Sequence, residues 1–292
     1  MKAFVVGNAA LDETLAVQDF PNPGASIFAT FLSRDLGGKG ANQAVAMART
    51  GLECILVSAV GDDARGTEIG ERLAREALTA RLQVLRGVAS DASSILVTDA
   101  GENAVITTRE AAAALTPDMA CRGLDGAGAG DLLAIQGNLD GNTTTALLNL
   151  ARNLGMRTVM NPSPLQPYFT DLFGLVDTVF VNQGEADALG GVDRLLAQGA
   201  HSVVVTLGGA GATLITANER HDLPALACDV RDTTGAGDCF MATALASAIL
   251  RGVALDSRAL GHAARAAAYT VARPGTVGAF PDAAEFARIL KH

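Results

Sequence analysis

Residues 232–240, DTTGAGDCF, combine a glycine-rich turn with a carboxylate, just before an apolar segment that predicts a helix. Glycines allow positive φ angles and let a ligand come close to the backbone. The free N–H groups in the first turn of a helix, together with the helix dipole, favour an anion at that place. Asp238 therefore has two interpretations, a helix cap or a general base beside a phosphate that is being transferred.

A near-copy of this motif, GAGAGD at 126–131, serves as an internal control. The segment that follows it, DLLAIQGN, predicts a strand instead of a helix, so no cluster of free helix N–H groups is expected there. A short glycine motif has meaning only in its structural context. We interpret this copy as a loop and leave Asp131 out of the candidate site.

The stretch LGGKGANQAVAMARTG, 36–51, places two glycines and a lysine before a predicted helix. It is not a Walker A loop, because Gly40 follows Lys39 where that motif has Ser or Thr. The glycine pair still brings backbone N–H groups close to a polar ligand. The side chains of Lys39 and Asn42 are suited to hydrogen bonds with hydroxyl groups.

Two later stretches also place polar groups or glycines at the ends of predicted strands. In VNQGEADAL, 181–189, Asn182 and Glu185 either begin a helix with early acidic charge or organise a phosphate and the waters of Mg²⁺. In VTLGGAGA, 205–212, the glycines either make a hairpin turn or wrap a nucleotide with backbone. The residues alone leave both alternatives open.

The elements that must position these motifs alternate between short apolar strands and helices, which is typical of a mainly parallel sheet covered on both faces. One segment, 13–38, differs because it alternates apolar and polar residues around a Pro-Asn-Pro-Gly turn. It predicts antiparallel strands outside the main sheet, either a flap over a site or an edge hairpin. Strands are predicted at 3–7, 54–61, 93–99, 104–108, 131–138, 157–164, 177–182 and 202–209, and helices at 39–51, 67–78, 143–155, 185–200 and 239–252.

The composition excludes several classes of protein. With 292 residues, 49% hydrophobic, the chain fits one α/β domain with a large core or two modest ones. A net charge of −9 argues against a nucleic-acid partner. The four cysteines form no C-x-x-C pair, so we expect reduced thiols without a zinc cluster. There is no apolar span of about 18 residues and no signal-type segment, so we expect a cytoplasmic protein outside the membrane.

Taken together and in order, the motifs resemble those of the PfkB/ribokinase family of carbohydrate kinases. GGKGANQAVAMARTG is similar to the N-terminal signature of that family, and DTTGAGDCFMATALASAI to its C-terminal signature. NPSP, VNQGEAD and VTLGGAGA fall where the family has intermediate motifs. The resemblance covers essentially the whole chain. It implies one kinase domain over 1–292, a three-layer α/β/α sandwich with a mainly parallel central sheet and a small β lid, whose strands lie within 13–38 and, as a second candidate, 93–108.

The resemblance also implies the reaction, which is transfer of the γ-phosphoryl group of ATP to a hydroxymethyl of a small sugar, with ribose as the first guess. Asp238 is implied as the base, and the N–H groups of Gly235, Ala236 and Gly237 as the anion hole. The other implied site residues are Asp12, Gly38, Lys39, Asn42 and Asn138 for the sugar; Asn182, Thr206, Gly208, Gly211 and Gly237 for the nucleotide; Glu185 for Mg²⁺ through water; and Asp232, Thr234, Thr270, Arg273, Gly275 and Ala279 for a monovalent cation, K⁺, mainly through backbone carbonyls.

Departures from the ribokinase pattern leave the acceptor open. Ala10 stands where ribokinases usually carry Asn, and Asn138 where they often have a Glu that faces the sugar. A buried hydroxyl without its partner costs roughly 1–3 kcal/mol. Another pentose, a ketohexose or a nucleoside therefore stay alternatives to ribose, as does a catalytically silent binding protein. A phosphorylated sugar is less favoured, since only Arg34 and Arg109 offer extra positive charge near the lid.

Three further features have competing interpretations. The apolar alternation of SIFATFL, 26–32, suits an exposed strand edge, and lids of the family often pair, so a homodimer through the lid is a hypothesis. His262, on an alanine-rich helix, either packs in the core or touches ATP. Cys239 is either a small buried residue or a thiol beside the base, where a bulky reagent that reaches it would block activity.

Overall fold

A nine-stranded sheet forms the centre of the protein in the computed structural model, which describes residues 1–98 and 102–291. The strands, in chain order, are β1 (Ala3–Val6), β2 (Ala10–Ala16), β3 (Thr30–Gly37), β4 (Cys54–Gly61), β5 (Thr79–Leu85), β6 (Ala92–Val97), β7 (Asn103–Thr107), β8 (Leu132–Gln136), β9 (Arg157–Asn161), β10 (Thr178–Asn182), β11 (Ser202–Thr206), β12 (Ala212–Thr216) and β13 (Arg220–Leu223). The helices are α1 (Lys39–Arg49), α2 (Ala64–Leu73), α3 (Glu110–Ala114), α4 (Pro117–Arg122), α5 (Gly141–Leu154), α6 (Gln183–Ala188), α7 (Val192–Ala197), α8 (Ala236–Arg251), α9 (Ser257–Val271) and α10 (Ala283–Ile289).

The large sheet runs in the order β13-β12-β11-β10-β9-β8-β1-β4-β5. From β11 to β5 neighbouring strands pair in parallel, whereas β12 and β13 are antiparallel additions at one edge. Parallel neighbours need a crossover connection, usually a helix, which explains the alternation of strands and helices in the sequence. The predicted fold class, a mainly parallel central sheet between helical layers, is confirmed.

Two hydrophobic clusters cover the two faces of this sheet. Successive side chains of a strand point to opposite faces, so Val5 of β1 joins the cluster formed with α1, α8 and α9. Its neighbours Phe4 and Val6 join the cluster formed with α5 and other helices of the opposite layer. Burial on both faces is the reason that the strands read as continuous apolar runs. Among the described helices, none is long and apolar enough to cross a membrane.

A second, smaller sheet has the order β3-β2-β6-β7. Strand β2 pairs antiparallel with β3 and parallel with β6, and β6 pairs antiparallel with β7. Both ranges considered for the lid, 13–38 and 93–108, contribute strands to this sheet, although residues 99–101 lie outside the described part. The prediction of 104–108 as a buried strand is wrong, because Val105 and Ile106 are exposed on the small sheet.

Other differences from the predicted elements have local causes. The helix predicted at 67–78 ends at Leu73, and a turn leads into β5, an edge strand that its apolar-polar alternation did not single out. The helix predicted at 185–200 is two helices, because Gly190 and Gly191 have φ angles of 91° and 92°. Strand β12 was also missed, since the glycines before it were interpreted as a turn or a nucleotide loop.

Candidate active site

A cleft of about 720 Å³ opens at the carboxyl ends of the parallel strands, where open α/β sheets bind their ligands. Asn161, Asn182 and Thr206 end strands β9, β10 and β11 and line this cleft. Lys39 from the start of α1 and Asp238 from the first turn of α8 line it from the other side. The topology therefore brings together motifs that are far apart in the chain.

The glycine-rich turn at 235–237 presents backbone N–H groups at the start of α8. Gly235 has a φ angle of 73°, and a Cβ there would lie 2.9 Å from the Phe280 ring, so glycine is required. Within the described residues, the N–H groups of Gly235 and Gly237 donate no hydrogen bond. The N–H of Ala236 donates to the Thr233 carbonyl at 3.3 Å, a long turn hydrogen bond. Two of the three donors implied for the anion hole are thus open.

The Asp238 carboxylate is buried, with 6% of the residue exposed, and both of its oxygens accept hydrogen bonds from α1. Asn42 Nδ2 donates to Oδ2 at 3.0 Å, and Gln43 Nε2 donates to Oδ1 at 2.9 Å. Lys39 Nζ lies 4.0 Å from Oδ1. No side chain caps the start of α8, so the helix-cap interpretation of Asp238 is wrong. The carboxylate is oriented from the protein side, and the residue still lines the cleft.

The control motif behaves differently. Asp131 accepts hydrogen bonds from Lys2 N at 2.8 Å and from Gly128 N at 3.1 Å, and it precedes strand β8. Its carboxylate ties a loop to the chain terminus and lies outside the cleft lining. The interpretation of GAGAGD as a loop agrees with this arrangement.

Three buried side chains of the implied sugar-binding set each keep one oxygen without a hydrogen-bond partner among the described residues. They are Oδ1 of Asp12, Oδ1 of Asn42 and Oδ1 of Asn138. Asp12 Oδ2 accepts from the Thr276 hydroxyl at 3.0 Å, and burial raises the pKa of the Asp12 carboxyl. Native proteins rarely leave buried acceptors unpaired, so these oxygens are suited to a ligand rich in hydroxyl groups. No hydrogen bond joins Asn138 to the other two among the described residues.

The GGKG turn, 37–40, leads from β3 directly into α1. Gly38 has a φ angle of 87° and precedes α1, whose Ala41 N donates to the Asn8 carbonyl at 3.0 Å. A Cβ on Gly37 would overlap the Asp12 carboxylate. A Cβ on Gly38 would lie 2.9 Å from both Ala10 N and Asn8 O, so glycine is also needed where the chain enters α1 close to the start of β2.

At the carboxyl end of β10, Asn182 and Glu185 form a capping box at the start of α6. Asn182 Oδ1 accepts from Glu185 N at 2.8 Å, and Glu185 Oε2 accepts from Asn182 N at 2.9 Å. The helix-start interpretation is therefore correct, and both residues also line the cleft. Gly208 and Gly211, with φ angles of 56° and 108°, form the hairpin turn between β11 and β12 and line the cleft too.

Of the residues implied for a monovalent cation, Asp232 and Thr234 lie on the loop before α8, and Arg273 and Gly275 on the loop after α9. Thr270 lies in the last turn of α9. Asp232 accepts from Thr234 N and from Gly275 N, each at 2.9 Å, so its carboxylate joins these loops. Within the described residues, the carbonyls of these three residues accept no hydrogen bond. The Thr270 carbonyl accepts from Arg273 N at 3.0 Å, and the Arg273 guanidinium lies 3.5 Å from the Tyr269 ring centre. The free carbonyls of Asp232, Thr234 and Gly275 suit a cation, whereas the Thr270 carbonyl and the Arg273 guanidinium already have partners.

Ala279, the last of that set, lies in a short turn at Val277–Ala279 that adjoins the small sheet.

For Mg²⁺ the donor set is sparse, since residues 1–98 and 102–291 contain no group of three or more His, Cys, Asp or Glu side chains suited to a metal ion. A Mg²⁺ ion that nucleotide phosphates and water hold for the most part needs few protein ligands. Glu185 alone fits that chemistry.

Two further expectations are settled by burial. His262 is 1% exposed, accepts or donates at 2.7 Å with the Ser247 hydroxyl, and lies outside the cleft lining, so the packing interpretation is correct. Cys239 is fully buried in α8, and burial raises the pKa of its thiol to about 11. The interpretation of Cys239 as a small buried residue is therefore correct, and a bulky reagent cannot reach its thiol.

Sequence reasoning missed part of this site. Gln43 and Gln136 are fully buried and form a hydrogen-bonded chain that ends on Asp238. The one signal was a glutamine within the apolar strand LLAIQ, where a polar residue needs a buried partner. The far end of the cleft, formed by residues 223–230 and by small apolar side chains of α9, was missed as well.

Comparisons with known proteins identify the family and the fold. The model of the pfkB family carbohydrate kinases matches residues 2–283. A ribokinase from Bacillus subtilis is 28% identical over 290 residues, which cover 98% of each chain. A deoxyribokinase from Salmonella typhi is 24% identical and covers 99% of each chain. The crystal structure of a ribokinase from Thermotoga maritima superposes with a TM-score of 0.88 at 27% identity, over 100% of this chain and 99% of the other.

The family model matches nearly the whole chain. The predicted family, the fold class and the carbohydrate kinase activity are therefore confirmed. The chain is a member of the pfkB family of carbohydrate kinases.

Proposed function

We propose that this carbohydrate kinase transfers the γ-phosphoryl group of ATP to a hydroxymethyl group of a small sugar, with ribose as the first candidate acceptor. One observation carries the proposal. The buried Asp238 carboxylate is oriented by two amide donors and stands in the same helix turn as the open N–H groups of Gly235 and Gly237. A base and an anion site thus adjoin each other at the cleft.

The chemistry follows from these positions. Asp238 accepts the proton of the sugar hydroxyl as its oxygen forms a bond to the γ-phosphorus. The bond from that phosphorus to the bridging oxygen of ADP breaks, and the leaving group carries the negative charge. The N–H groups of Gly235 and Gly237, joined by Ala236 once its long turn hydrogen bond opens, stabilise the charge on the transferred group. Mg²⁺, when bound with the nucleotide, neutralises the phosphate oxygens.

The acceptor side is built for hydroxyl groups. The unpaired oxygens of Asp12, Asn42 and Asn138 accept hydrogen bonds from hydroxyl groups of the sugar. Lys39 and Gly38 complete the proposed sugar-binding set. The similarity to ribokinases supports ribose. Ala10 is fully buried and offers only a methyl group where ribokinases usually carry an amide. This supports a second candidate, a pentose with one hydroxyl fewer, and a deoxyribokinase is among the relatives.

We assign the remaining roles by position. The cleft lining and the two cation loops support nucleotide, Mg²⁺ and K⁺ sites, and the free carbonyls at Asp232, Thr234 and Gly275 support the last of these. The proposed residues are Asn182, Thr206, Gly208, Gly211 and Gly237 for the nucleotide; Glu185 for Mg²⁺ through water; and Asp232, Thr234, Thr270, Arg273, Gly275 and Ala279 for K⁺ through carbonyl groups.

We also propose that the small sheet is a lid that pairs with the lid of a second copy. Strand β3 of this sheet and the segment just before it expose large apolar side chains, of which Phe28, before the strand, is 101% exposed and Phe31, in the strand, is 59% exposed. Ile106 of β7, 65% exposed, adds to the apolar surface of the same sheet. Large exposed apolar patches mark interaction surfaces.

The four free cysteines, together with ATP as co-substrate, support a reducing, cytoplasmic location.

The experiment that tests the function is ADP release across a panel of ribose, 2-deoxyribose, other pentoses, ketohexoses and nucleosides, with Mg²⁺–ATP and with or without K⁺. We expect turnover of a pentose. Asp238→Asn should lower it by about 10²–10⁴-fold, the usual contribution of a general base. Asp131→Asn, in the near-copy of the motif, is the matched control and should keep turnover. Silence across the panel, or full turnover by Asp238→Asn, contradicts the proposal.

A further inference from the structure

We propose that Gln43 and Gln136 are positioning residues for Asp238, and that they hold the base through a chain of amide hydrogen bonds with one direction; this inference rests on the proposed function. Gln136 Nε2 on β8 donates to Gln43 Oε1 on α1 at 2.7 Å. Gln43 Nε2 in turn donates to Asp238 Oδ1 on α8 at 2.9 Å. The chain therefore ties the base to a strand in the middle of the central sheet.

Both glutamines act from inside the protein. Each is 0% exposed, and neither lines the cleft. Asn42, the other donor to Asp238, differs because its Oδ1 is unpaired and because it belongs to the proposed sugar-binding set. Gln43 thus holds Oδ1 of Asp238 throughout the reaction. Oδ2 instead exchanges its hydrogen bond from Asn42 for one from the acceptor hydroxyl, and then takes the proton of that hydroxyl.

The direction of the chain is dictated by the charge at its end. An ionised carboxylate only accepts hydrogen bonds, so Gln43 must present its NH₂ group to Asp238. Its carbonyl oxygen then faces Gln136, which must also present an NH₂ group. The cost appears at the far end, where Gln136 Oε1 is buried without a partner among the described residues. The position opposite is Gly7, where a Cβ would overlap that oxygen.

An unpaired buried acceptor is unfavourable, and this one is the consequence of aiming both amides at Asp238. The two amide dipoles point their positive ends toward the carboxylate. They therefore hold the base in one orientation before the acceptor binds, which is the preorganisation that a proton transfer requires.

The test compares two substitutions at Gln136, which touches no ligand in the proposed mechanism. Gln136→Met keeps the length of the side chain and removes the donor, and we expect kcat to fall by about tenfold, the effect of one lost hydrogen bond in a charged chain. In its ionised form Gln136→Glu can only accept, so at a pH above the pKa of that carboxyl, which burial raises, Gln43 must turn its NH₂ group away from Asp238 and place its carbonyl there. We expect kcat to fall by at least about a hundredfold, with KM for sugar and ATP within about twofold in both variants.

The matched control is Gln198→Met. Gln198 also has a buried, unpaired Oε1 and donates one hydrogen bond, to the Thr170 carbonyl at 3.3 Å, but it lies outside the cleft lining. We expect its kcat to equal that of the wild type. Should Gln136→Glu fail to fold, Gln43→Met carries the same expected loss of kcat at unchanged KM, because it leaves Asp238 Oδ1 without its donor.

A second measurement separates this inference from the proposed function. A double-mutant cycle of Gln43→Met and Asp238→Asn in urea unfolding, without any substrate, should give non-additive free energies, since the two side chains share a hydrogen bond. Wild-type protein that phosphorylates no acceptor refutes the function and leaves this coupling to be measured. Additive free energies of unfolding in this cycle refute the proposed chain of hydrogen bonds. So do equal kcat values for Gln136→Met and Gln136→Glu, or losses that appear in KM alone.

Discussion

Chemical modification of cysteine gives a direct test of where the cleft lies, because two of the thiols have opposite environments. Cys228 is exposed and lines the cleft in the segment after β13. Cys239 follows Asp238 in the chain but is fully buried in α8. We expect a bulky maleimide to react at Cys228, to block nucleotide binding from there, and to leave Cys239 untouched.

The difference in rate follows from ionisation and access. The thiolate is the reacting form, and burial raises the pKa of Cys239 from an ordinary value of 9.0 to about 11. At about pH 8 its thiolate fraction is therefore lower than that of an ordinary thiol by roughly a hundredfold. Burial also raises the pKa of Cys54, to about 12, and that of the half-buried Cys121. Lack of access slows the buried thiols further.

The assay follows loss of turnover and maps the labelled peptide by mass spectrometry, with and without Mg²⁺–ATP. We expect one equivalent of label at Cys228, loss of activity in parallel, and slower labelling when nucleotide is present. Cys228→Ser should resist inactivation. Labelling of Cys239 at a rate within about tenfold of Cys228 would contradict the burial argument. Inactivation of Cys228→Ser at the wild-type rate would show that residues 223–230 do not border the nucleotide.

Three further predictions use other parts of the fold. Burial, together with neighbouring arginines, lowers the pKa of His262 to about 4. The stability that comes from keeping this imidazole neutral is therefore fully present above the unfolded pKa of about 6.5, and the free energy of unfolding falls by about 2 kcal/mol between pH 7.5 and pH 5. Urea unfolding at the two pH values should show a smaller loss in His262→Gln. Gly235→Ala should destabilise the protein by about 1–2 kcal/mol, because of its positive φ, and lower turnover, whereas Gly237→Ala, whose Cβ meets nothing within 4 Å, should keep its thermal unfolding midpoint. The wild type should sediment as a dimer and the double variant Phe28→Ser, Phe31→Ser as a monomer, and a monomeric wild type would remove the lid-pairing proposal.

Much of the fold was predictable because its signals are local. Short apolar runs separated by helical patterns are sufficient to indicate a parallel sheet, since burial on both faces requires them. The antiparallel pair in 13–38 was predictable from its alternation around a turn. The failures at β5, β12 and the helix break at Gly190–Gly191 occur where an edge strand is short or where two glycines change the backbone direction.

The site was predictable to the level of motifs but not of contacts. DTTGAGDCF and LGGKGANQ each stand at a helix start, and that local context is enough to suggest an anion and its polar partners. The two interpretations of Asp238 could not be separated from the sequence, because a cap and a base use the same residue at the same position. The structure excludes the cap, since the carboxylate accepts hydrogen bonds from α1 and no side chain caps the start of α8.

The amino-acid sequence by itself indicated the family, the mainly parallel sheet and Asp238 as the candidate base. Residue types, their spacing and their periodicity are properties of neighbouring positions, and these conclusions need nothing else. Only the tertiary structure decided the partners of that base. Asn42 and Gln43 lie 196 and 195 residues from Asp238, and Gln136 lies 93 residues from Gln43. Such contacts depend on the order in which β8, β1 and the helices pack, and this order becomes visible only when the chain is folded.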